Sequence, residues 1–157
     1  MLPSLYIETS VISYYTARVS RDLVVAGHQQ VTQDWWKNDL PRFDAFISDP
    51  VLEEITKGDP SAVRNRLTAV ERFAVLEVTP DAEELASIYA QAMALPASAW
   101  LDALHLAVAS LNGMEYLVSW NCRHITSGRV RKVVHEINED RGVDSPIICT
   151  PEELQDD

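Results

Sequence analysis

Residues 5–15, LYIETSVISYY, begin with three apolar residues and then place a glutamate before two hydroxyl residues. The apolar run contains an aromatic and a β-branched residue, and a short continuous run of this kind is typical of a parallel strand that is covered on both faces. Thr9 and Ser10 follow at once, and either can cap a helix. The stretch therefore predicts a buried strand that ends on Glu8 and turns directly into a helix.

The same alternation continues along the chain. Four further strands are predicted, over residues 43–48, 74–78, 116–120 and 146–150. Helical patterns separate them, over residues 11–18, 20–38 with Ser20 as its cap, 50–56, 60–73, 79–95, 98–113 and 127–142. Alternating strands and helices favour a three-layer α/β/α domain with right-handed crossovers and a mostly parallel sheet of four to five strands.

The length of 157 residues fits one domain with one core. We expect residues 1–150 to form that domain and residues 151–157, PEELQDD, to form an acidic C-terminal tail in solvent. We find no repeat and no linker between separate domains.

The expected cellular setting follows from segments that the sequence lacks. No stretch approaches the ~20 apolar residues of a membrane span, and the first residues lack the pattern of a secretory signal. We therefore expect a cytoplasmic protein without membrane contact. Cys122 and Cys149 are predicted to be reduced thiols.

Charge limits the class of partner. The chain carries 13 basic and 24 acidic residues, a formal net charge of −11, which argues against nucleic-acid binding by bulk electrostatics. Arg123, Arg129, Arg131 and Lys132 form the one concentrated basic stretch. A local basic rim of this kind can still guide RNA on an acidic protein.

Three acids are placed where an α/β sheet binds ligands, beyond the carboxyl ends of its strands. Glu8 ends the first strand, Glu54 lies in the helix after the second, and Asp102 lies early in the helix before the fourth. Each alone is explained by a local role, as a solvated charge or as an acid near a helix N-terminus. Together, three carboxylates from separate elements are what Mg²⁺ or Mn²⁺ requires, because hard cations bind oxygen ligands.

Four segments resemble the acidic blocks of PIN domains, the metal-dependent ribonuclease fold of VapC-like toxins from toxin-antitoxin pairs. The segments are YIETSVISYY, SDPVLEEI, LDALHLAVA and YLVSWNCRHI, in the order and approximate spacing of that family, and the resemblance covers residues 4–149. It implies a Rossmann-like α/β/α sheet and a divalent-metal-dependent endoribonuclease that hydrolyses RNA phosphodiester bonds. A cognate antitoxin and a second copy of the chain, in a homodimer, are the implied partners.

The resemblance also implies the site residues. The family's acids fall on Glu8, Glu54 and Asp102, with Glu53 as the adjacent alternative to Glu54. The last block falls on Ser119, Asn121 and His124, so the implied ligands of Mg²⁺ or Mn²⁺ are Glu8, Glu54, Asp102 and Asn121. Ser10, Ser119 and His124 are expected to support them, and the basic stretch after this block is expected to contact RNA.

Two positions differ from the family pattern. Glu8 replaces an aspartate and is longer by one methylene, and His124 replaces an acid and offers a nitrogen ligand or a proton donor. The alternative function is therefore a PIN-fold binding or regulatory module with weak or lost catalysis. A third interpretation, another α/β phosphotransfer or hydrolase domain, is disfavoured because no glycine-rich phosphate loop is present.

Other residues leave two interpretations open. His105 lies one helical turn after Asp102 and can either face the same pocket or be a hydrogen-bonded core residue, the favoured interpretation. Trp35 and Trp36 can stack on RNA bases, but packing or a dimer contact is favoured. A Ser119–His124 hydrolase pair is disfavoured, because neither residue lies in a Gly-x-Ser-x-Gly motif.

Overall fold

The computed structural model describes residues 1–156, and this part of the chain contains five strands and seven α-helices. The strands are β1 (Ser4–Ile7), β2 (Asp44–Ser48), β3 (Ala74–Leu76), β4 (Tyr116–Val118) and β5 (Ile147–Cys149). The helices are α1 (Thr9–Thr16), α2 (Leu23–Asn38), α3 (Asp49–Ile55), α4 (Pro60–Val70), α5 (Pro80–Ala92), α6 (Trp100–Leu111) and α7 (Gly128–Asp140). None of these helices is both long and apolar enough to cross a membrane.

The five strands form one sheet in the order β3-β2-β1-β4-β5, and every neighbouring pair is parallel. The predicted α/β class with a mostly parallel sheet is therefore confirmed, at the upper end of the predicted strand number. From β1 the chain moves outward to β3 on one side and then crosses to β4 and β5 on the other. The carboxyl ends of β1 and β4 consequently flank the point where the strand order reverses, which is where open α/β sheets bind ligands.

Right-handed crossovers assign α1 to α4 to one face of this sheet and α5 to α7 to the other. Contacts agree, because α1 touches α2 and α4 while α5 touches α6 and α7. Leu5, Tyr6 and Ile7 have no exposed surface, as expected for a strand covered on both faces. Trp35 is also fully buried and Trp36 is 7% exposed, so the packing interpretation of these tryptophans is confirmed.

The hydroxyl residues near the first two helices do not cap them as the sequence suggests. Asp22, rather than Ser20, is the N-cap of α2, because its carboxylate accepts from two backbone amides of the first turn. The α1 helix begins at Thr9 with Glu8 in the cap position and has no side-chain cap hydrogen bond. The side chains of Thr9 and Ser10 instead bind glutamate carboxylates.

The residues expected to form the acidic tail begin with a short 3₁₀ helix, Pro151–Leu154. Thr150 is its N-cap and forms a capping box with Glu153. Pro151 is buried, while the acidic side chains of this helix are exposed. Further on, Asp156 forms an ion pair with Arg42. The start of this segment is thus packed against the domain. The boundary between a domain of residues 1–150 and a tail of residues 151–157 stays a prediction. Asp157 lies outside the described residues.

Candidate metal centre

The carboxyl ends of β1 and β4 place two functional residues next to each other. The Glu8 amide donates to the carbonyl of Val118 at 3.1 Å, and the Ser119 amide donates to the carbonyl of Cys149 at 3.0 Å. Both bonds continue the parallel ladder by one residue past the strands. The side chains of Glu8 and Ser119 therefore project from rigid backbone at the edge of the sheet.

The Glu8 side chain is 3% exposed and is held by two serines. Ser119 Oγ donates to Glu8 Oε1 at 2.5 Å, and Ser10 Oγ donates to the same oxygen. Burial raises the pKa of the Glu8 carboxyl, and the serine hydrogen bonds offset part of that rise. An acid in this position needs hydrogen bonds and a nearby cation to remain ionised.

The Glu54 side chain reaches the same place from α3 and is 27% exposed. Thr9 Oγ1 donates to Glu54 Oε1 at 2.7 Å, and His105 Nε2 lies 2.5 Å from that oxygen. Burial acts to raise the pKa of Glu54, but the hydrogen bond and charge of His105 outweigh it, so the pKa is lowered. Glu54 is therefore an ionised carboxylate with a fixed orientation.

His105 is fully buried on α6 and contacts β1 through its other ring nitrogen. The Tyr6 hydroxyl lies 2.6 Å from His105 Nδ1 and 2.6 Å from Ser48 Oγ. Burial acts to lower the pKa of His105, but Glu54 and then Glu8 raise it overall. The favoured interpretation of His105 as a hydrogen-bonded core residue is confirmed, and the same residue also faces the acids.

The ligand atoms of Glu8, Glu54 and His105 all lie within 4.8 Å of one another. Within residues 1–156, both hydrogen bonds to each glutamate reach Oε1, which leaves each Oε2 available for a further ligand. One buried and one partly exposed carboxylate this close repel each other, and a divalent ion bound by their oxygens removes that repulsion. The donor set therefore fits a divalent cation.

Asp102 lies on α6 one helical turn before His105, and its charge contributes to the raised pKa of His105. Its carboxylate pairs with His124, whose Nδ1 lies 2.9 Å from Asp102 Oδ2. The two side chains are 16% and 21% exposed, respectively. The structure thus groups Glu8 with Glu54 and His105, and it groups Asp102 with His124.

Asn121 lies in the loop after β4 and is half-buried. Its side-chain oxygen accepts from the His124 backbone amide at 3.0 Å, and the Asn121 backbone amide donates to Ser119 Oγ at 2.9 Å. These bonds fix the loop that carries His124 beside Asp102. The Asn121 side chain is therefore engaged within its loop.

The predicted RNA-binding residues are exposed along this loop and α7, but three of them have partners. Arg129 donates to the Met93 carbonyl at 3.2 Å. Arg131 donates to the Thr126 carbonyl at 2.9 Å and lies 3.5 Å from Glu153, and Lys132 lies 4.0 Å from Glu136. Arg123, the fourth predicted RNA-binding residue, is exposed in the loop next to His124.

The two cysteines are free thiols, as predicted, but their environments differ. Cys122 is exposed in the loop after β4, whereas Cys149 is buried in β5, where burial raises the pKa of its thiol to about 12.

Because the thiolate is the reactive form, iodoacetamide at pH 8 should label Cys122 at least about tenfold faster than Cys149. Mass spectrometry measures this, with Cys149→Ser as the control that should label normally; fast labelling of a Cys122→Ser variant would contradict it.

The sequence does not indicate the roles of three residues at the centre. Thr9 and His105 bind the Glu54 carboxylate, and Tyr6 binds His105, whereas sequence patterns favour a cap for Thr9 and core positions for Tyr6 and His105. The one signal in the sequence was the spacing of His105 from Asp102, which places both side chains on neighbouring turns of one helix face. The contact with Tyr6 has no sequence signal, because 99 residues separate the two positions.

No family model matches the chain, and no curated protein matches it by sequence. Among solved structures, the chain is similar to VapC20 from Mycobacterium tuberculosis, described as a sarcin–ricin loop cleaving toxin. The identity is 21%, the TM-score is 0.56, and the match covers 73% of this chain and 87% of that one.

Two structures that contain toxin-antitoxin pairs are also similar. A toxin-antitoxin complex from Klebsiella pneumoniae is 17% identical with a TM-score of 0.57, over 81% of this chain and 94% of that one. VapBC2 from Rickettsia felis, bound to a DNA fragment from its promoter, is 14% identical with a TM-score of 0.53, over 93% and 97%. The resemblance to VapC-like PIN domains is therefore confirmed for the fold.

Proposed function

We propose that this chain with a PIN-domain fold is a divalent-metal-dependent endoribonuclease that hydrolyses RNA phosphodiester bonds. One observation carries the proposal: Glu8 and Glu54 converge with His105 at the carboxyl end of the sheet, and their ligand atoms lie within 4.8 Å. The similarity to VapC20, a toxin that cleaves the sarcin–ricin loop, supports RNA as the substrate class.

In this proposal Glu8, Glu54 and Asp102 hold Mg²⁺ or Mn²⁺ together with Asn121, whose Oδ1 accepts one hydrogen bond from the His124 backbone amide and has a second lone pair for the ion. Such an ion, when bound, lowers the pKa of a coordinated water and neutralises charge on the phosphate. The protein orients the carboxylates for that role, and Ser10 and Ser119 hold Glu8. His124 pairs with Asp102 at 2.9 Å, and we assign it the role of giving a proton to the leaving oxygen of RNA.

The RNA backbone is proposed to follow the exposed basic residues Arg123, Arg129, Arg131 and Lys132. Their position beside the Asn121–His124 loop supports this path, because a scissile phosphate in the centre would extend along the same loop. A local positive rim matters here, since the net charge of −11 repels RNA from the rest of the surface.

We also propose that the chain is the toxin of a toxin-antitoxin pair, acts in the cytoplasm and forms a homodimer. The similarity to two structures of toxin-antitoxin pairs supports a protein antitoxin as partner. Co-purification with the product of a neighbouring gene tests this, and size-exclusion chromatography with light scattering tests the dimer.

The test of the ribonuclease is cleavage of labelled RNA by the purified protein. We expect a single-stranded oligonucleotide or a sarcin–ricin loop hairpin to be cut in Mg²⁺ or Mn²⁺, to remain intact in EDTA, and to be cut again when metal is restored. DNA of the same sequence is the control and should stay intact. Equal cutting in EDTA would contradict a metal-dependent mechanism.

A PIN-fold binding or regulatory module is the second candidate. Its support is that two imidazoles already pair with two of the three acids, His105 with Glu54 and His124 with Asp102. Calorimetric titration with Mn²⁺ beside the cleavage assay separates the two functions. A protein that binds Mn²⁺ and leaves every RNA intact is the module, and one that binds and cuts is the enzyme.

A further inference from the structure

A chain of buried hydrogen bonds lies beneath the Glu54 carboxylate. Ser48 Oγ lies 2.6 Å from the Tyr6 hydroxyl, which lies 2.6 Å from His105 Nδ1, and His105 Nε2 lies 2.5 Å from Glu54 Oε1. Ser48, Tyr6 and His105 have no exposed surface. The chain therefore connects β1, the end of β2 and α6 to the acid on α3, and its Ser48–Tyr6 and Tyr6–His105 bonds are buried from water.

The direction of donation in this chain is determined at its Glu54 end. Ser48 Oγ accepts from the Val51 amide at 3.4 Å as the N-cap of α3, and towards Tyr6 it can act as donor or as acceptor. A carboxylate accepts only, so His105 Nε2 must carry a proton. With neutral His105, Tyr6 donates to Nδ1, and with charged His105, Nδ1 donates to Tyr6. Nε2 donates to Glu54 in either case.

The same chain restricts the rotation of the imidazole. The Tyr6 and His105 rings meet edge to face, with centroids 5.9 Å apart and planes at 66°. Burial and bonds at both ring nitrogens leave one orientation of the ring. Glu54 Oε1 is consequently held by His105 on one side and by Thr9, 2.7 Å away, on the other. The second oxygen, Oε2, then has a defined direction.

We propose that His105 is a positioning residue for the metal centre: held by Tyr6 and Ser48, it fixes Glu54 so that Oε2 meets the ion. This inference rests on the proposed metal-binding role of Glu54. Removing a hydrogen-bond partner of a metal ligand commonly weakens metal affinity by about 10- to 100-fold. His105 acts through Glu54 and does not itself contact the substrate.

Tyr6→Phe tests the proposal without touching Glu54 or the ion. The variant keeps the ring and removes the hydroxyl that holds His105, so the dissociation constant for Mn²⁺ should rise about tenfold in calorimetry. Tyr89→Phe is the matched control, because Tyr89 is also fully buried and its hydroxyl bonds to Ser110, near the C-terminal end of α6, and to Asn138 on α7. Both variants lose stability, but Tyr89→Phe should bind Mn²⁺ like the wild type.

His105→Gln and His105→Leu provide a second comparison. Glutamine can still donate to Glu54 and should retain part of the Mn²⁺ affinity, whereas leucine cannot and should lose more. In RNA cleavage, excess Mn²⁺ should restore much of the rate constant of Tyr6→Phe, a recovery that general loss of structure does not give.

The outcomes separate this inference from the proposed function. Wild-type Mn²⁺ affinity in Tyr6→Phe, or an equal loss in Tyr89→Phe, overturns the positioning role even if RNA is cut. If the affinities differ as expected but no RNA is cut, the positioning role stands and the ribonuclease is rejected. A wild-type protein that binds no Mn²⁺ overturns both.

Discussion

Glu54→Gln is expected to lower RNA cleavage by at least about a hundredfold while leaving the fold intact. A bound metal contributes several kcal/mol of charge stabilisation, and each ~1.4 kcal/mol is a tenfold change in rate. This is the largest loss that we expect, because the substitution removes a proposed metal ligand and its negative charge together.

The reason lies in the two hydrogen bonds that Glu54 accepts. Thr9 and His105 both donate to Oε1, at 2.7 Å and 2.5 Å, so in glutamine the single acceptor oxygen must occupy that position. The amide nitrogen then takes the place of Oε2, and it cannot bind a cation. The loss of the site is measured by the RNA cleavage rate at saturating Mn²⁺ and by Mn²⁺ calorimetry. Thermal unfolding measures whether the fold is retained.

Glu53→Gln is the matched control on the same helix turn. Glu53 is 58% exposed and lies 3.7 Å from Lys57, an exposed pair that contributes little. Its cleavage rate should stay within about twofold of the wild type, as for most surface substitutions. Loss of cleavage in Glu53→Gln with retention in Glu54→Gln would exchange the roles of the two acids.

The fold was largely predictable because its signals are local. The apolar run at residues 5–7 indicated a doubly covered strand, and Leu5, Tyr6 and Ile7 are indeed fully buried. Alternation of short strands with amphipathic helices then determines a parallel sheet through the handedness of its crossovers. The predicted N-cap of α2, Ser20, was wrong by two residues, because the observed cap is Asp22. Serine and aspartate are both good caps, and only the tertiary path of the chain selects between them.

The centre was less predictable because its contacts join residues far apart in sequence. Strand ends and the resemblance to PIN domains indicated Glu8, Glu54 and Asp102, but they could not show which acid each histidine contacts. That choice depends on how α3 and α6 pack together, which places His105 against Glu54 and leaves His124 for Asp102. The role of Thr9 was also not predictable, because a hydroxyl residue after a strand can either cap the next helix or bind a carboxylate, and the sequence does not distinguish the two.

Glu8→Asp is expected to lower RNA cleavage by about 10- to 100-fold, although aspartate is the residue that the family pattern has at this position. The Glu8 carboxylate is held through Oε1 by Ser10 and by Ser119, the latter at 2.5 Å. Aspartate is shorter by one carbon–carbon bond, about 1.5 Å. It cannot keep both serine bonds and also present its second oxygen to the ion, and a displacement of about 1 Å in an active site can cost about 10²-fold.

Glu77→Asp is the control for this substitution, because Glu77 also follows a parallel strand but is exposed at the end of β3. It should cut RNA like the wild type. Glu8→Asp should also bind Mn²⁺ more weakly in calorimetry, and Ser119→Ala should move the affinity in the same direction by removing one of the two anchors. A gain of cleavage in Glu8→Asp would contradict this account: the longer side chain would then weaken the native centre, and the serine bonds would hold Glu8 away from the ion instead of directing it there.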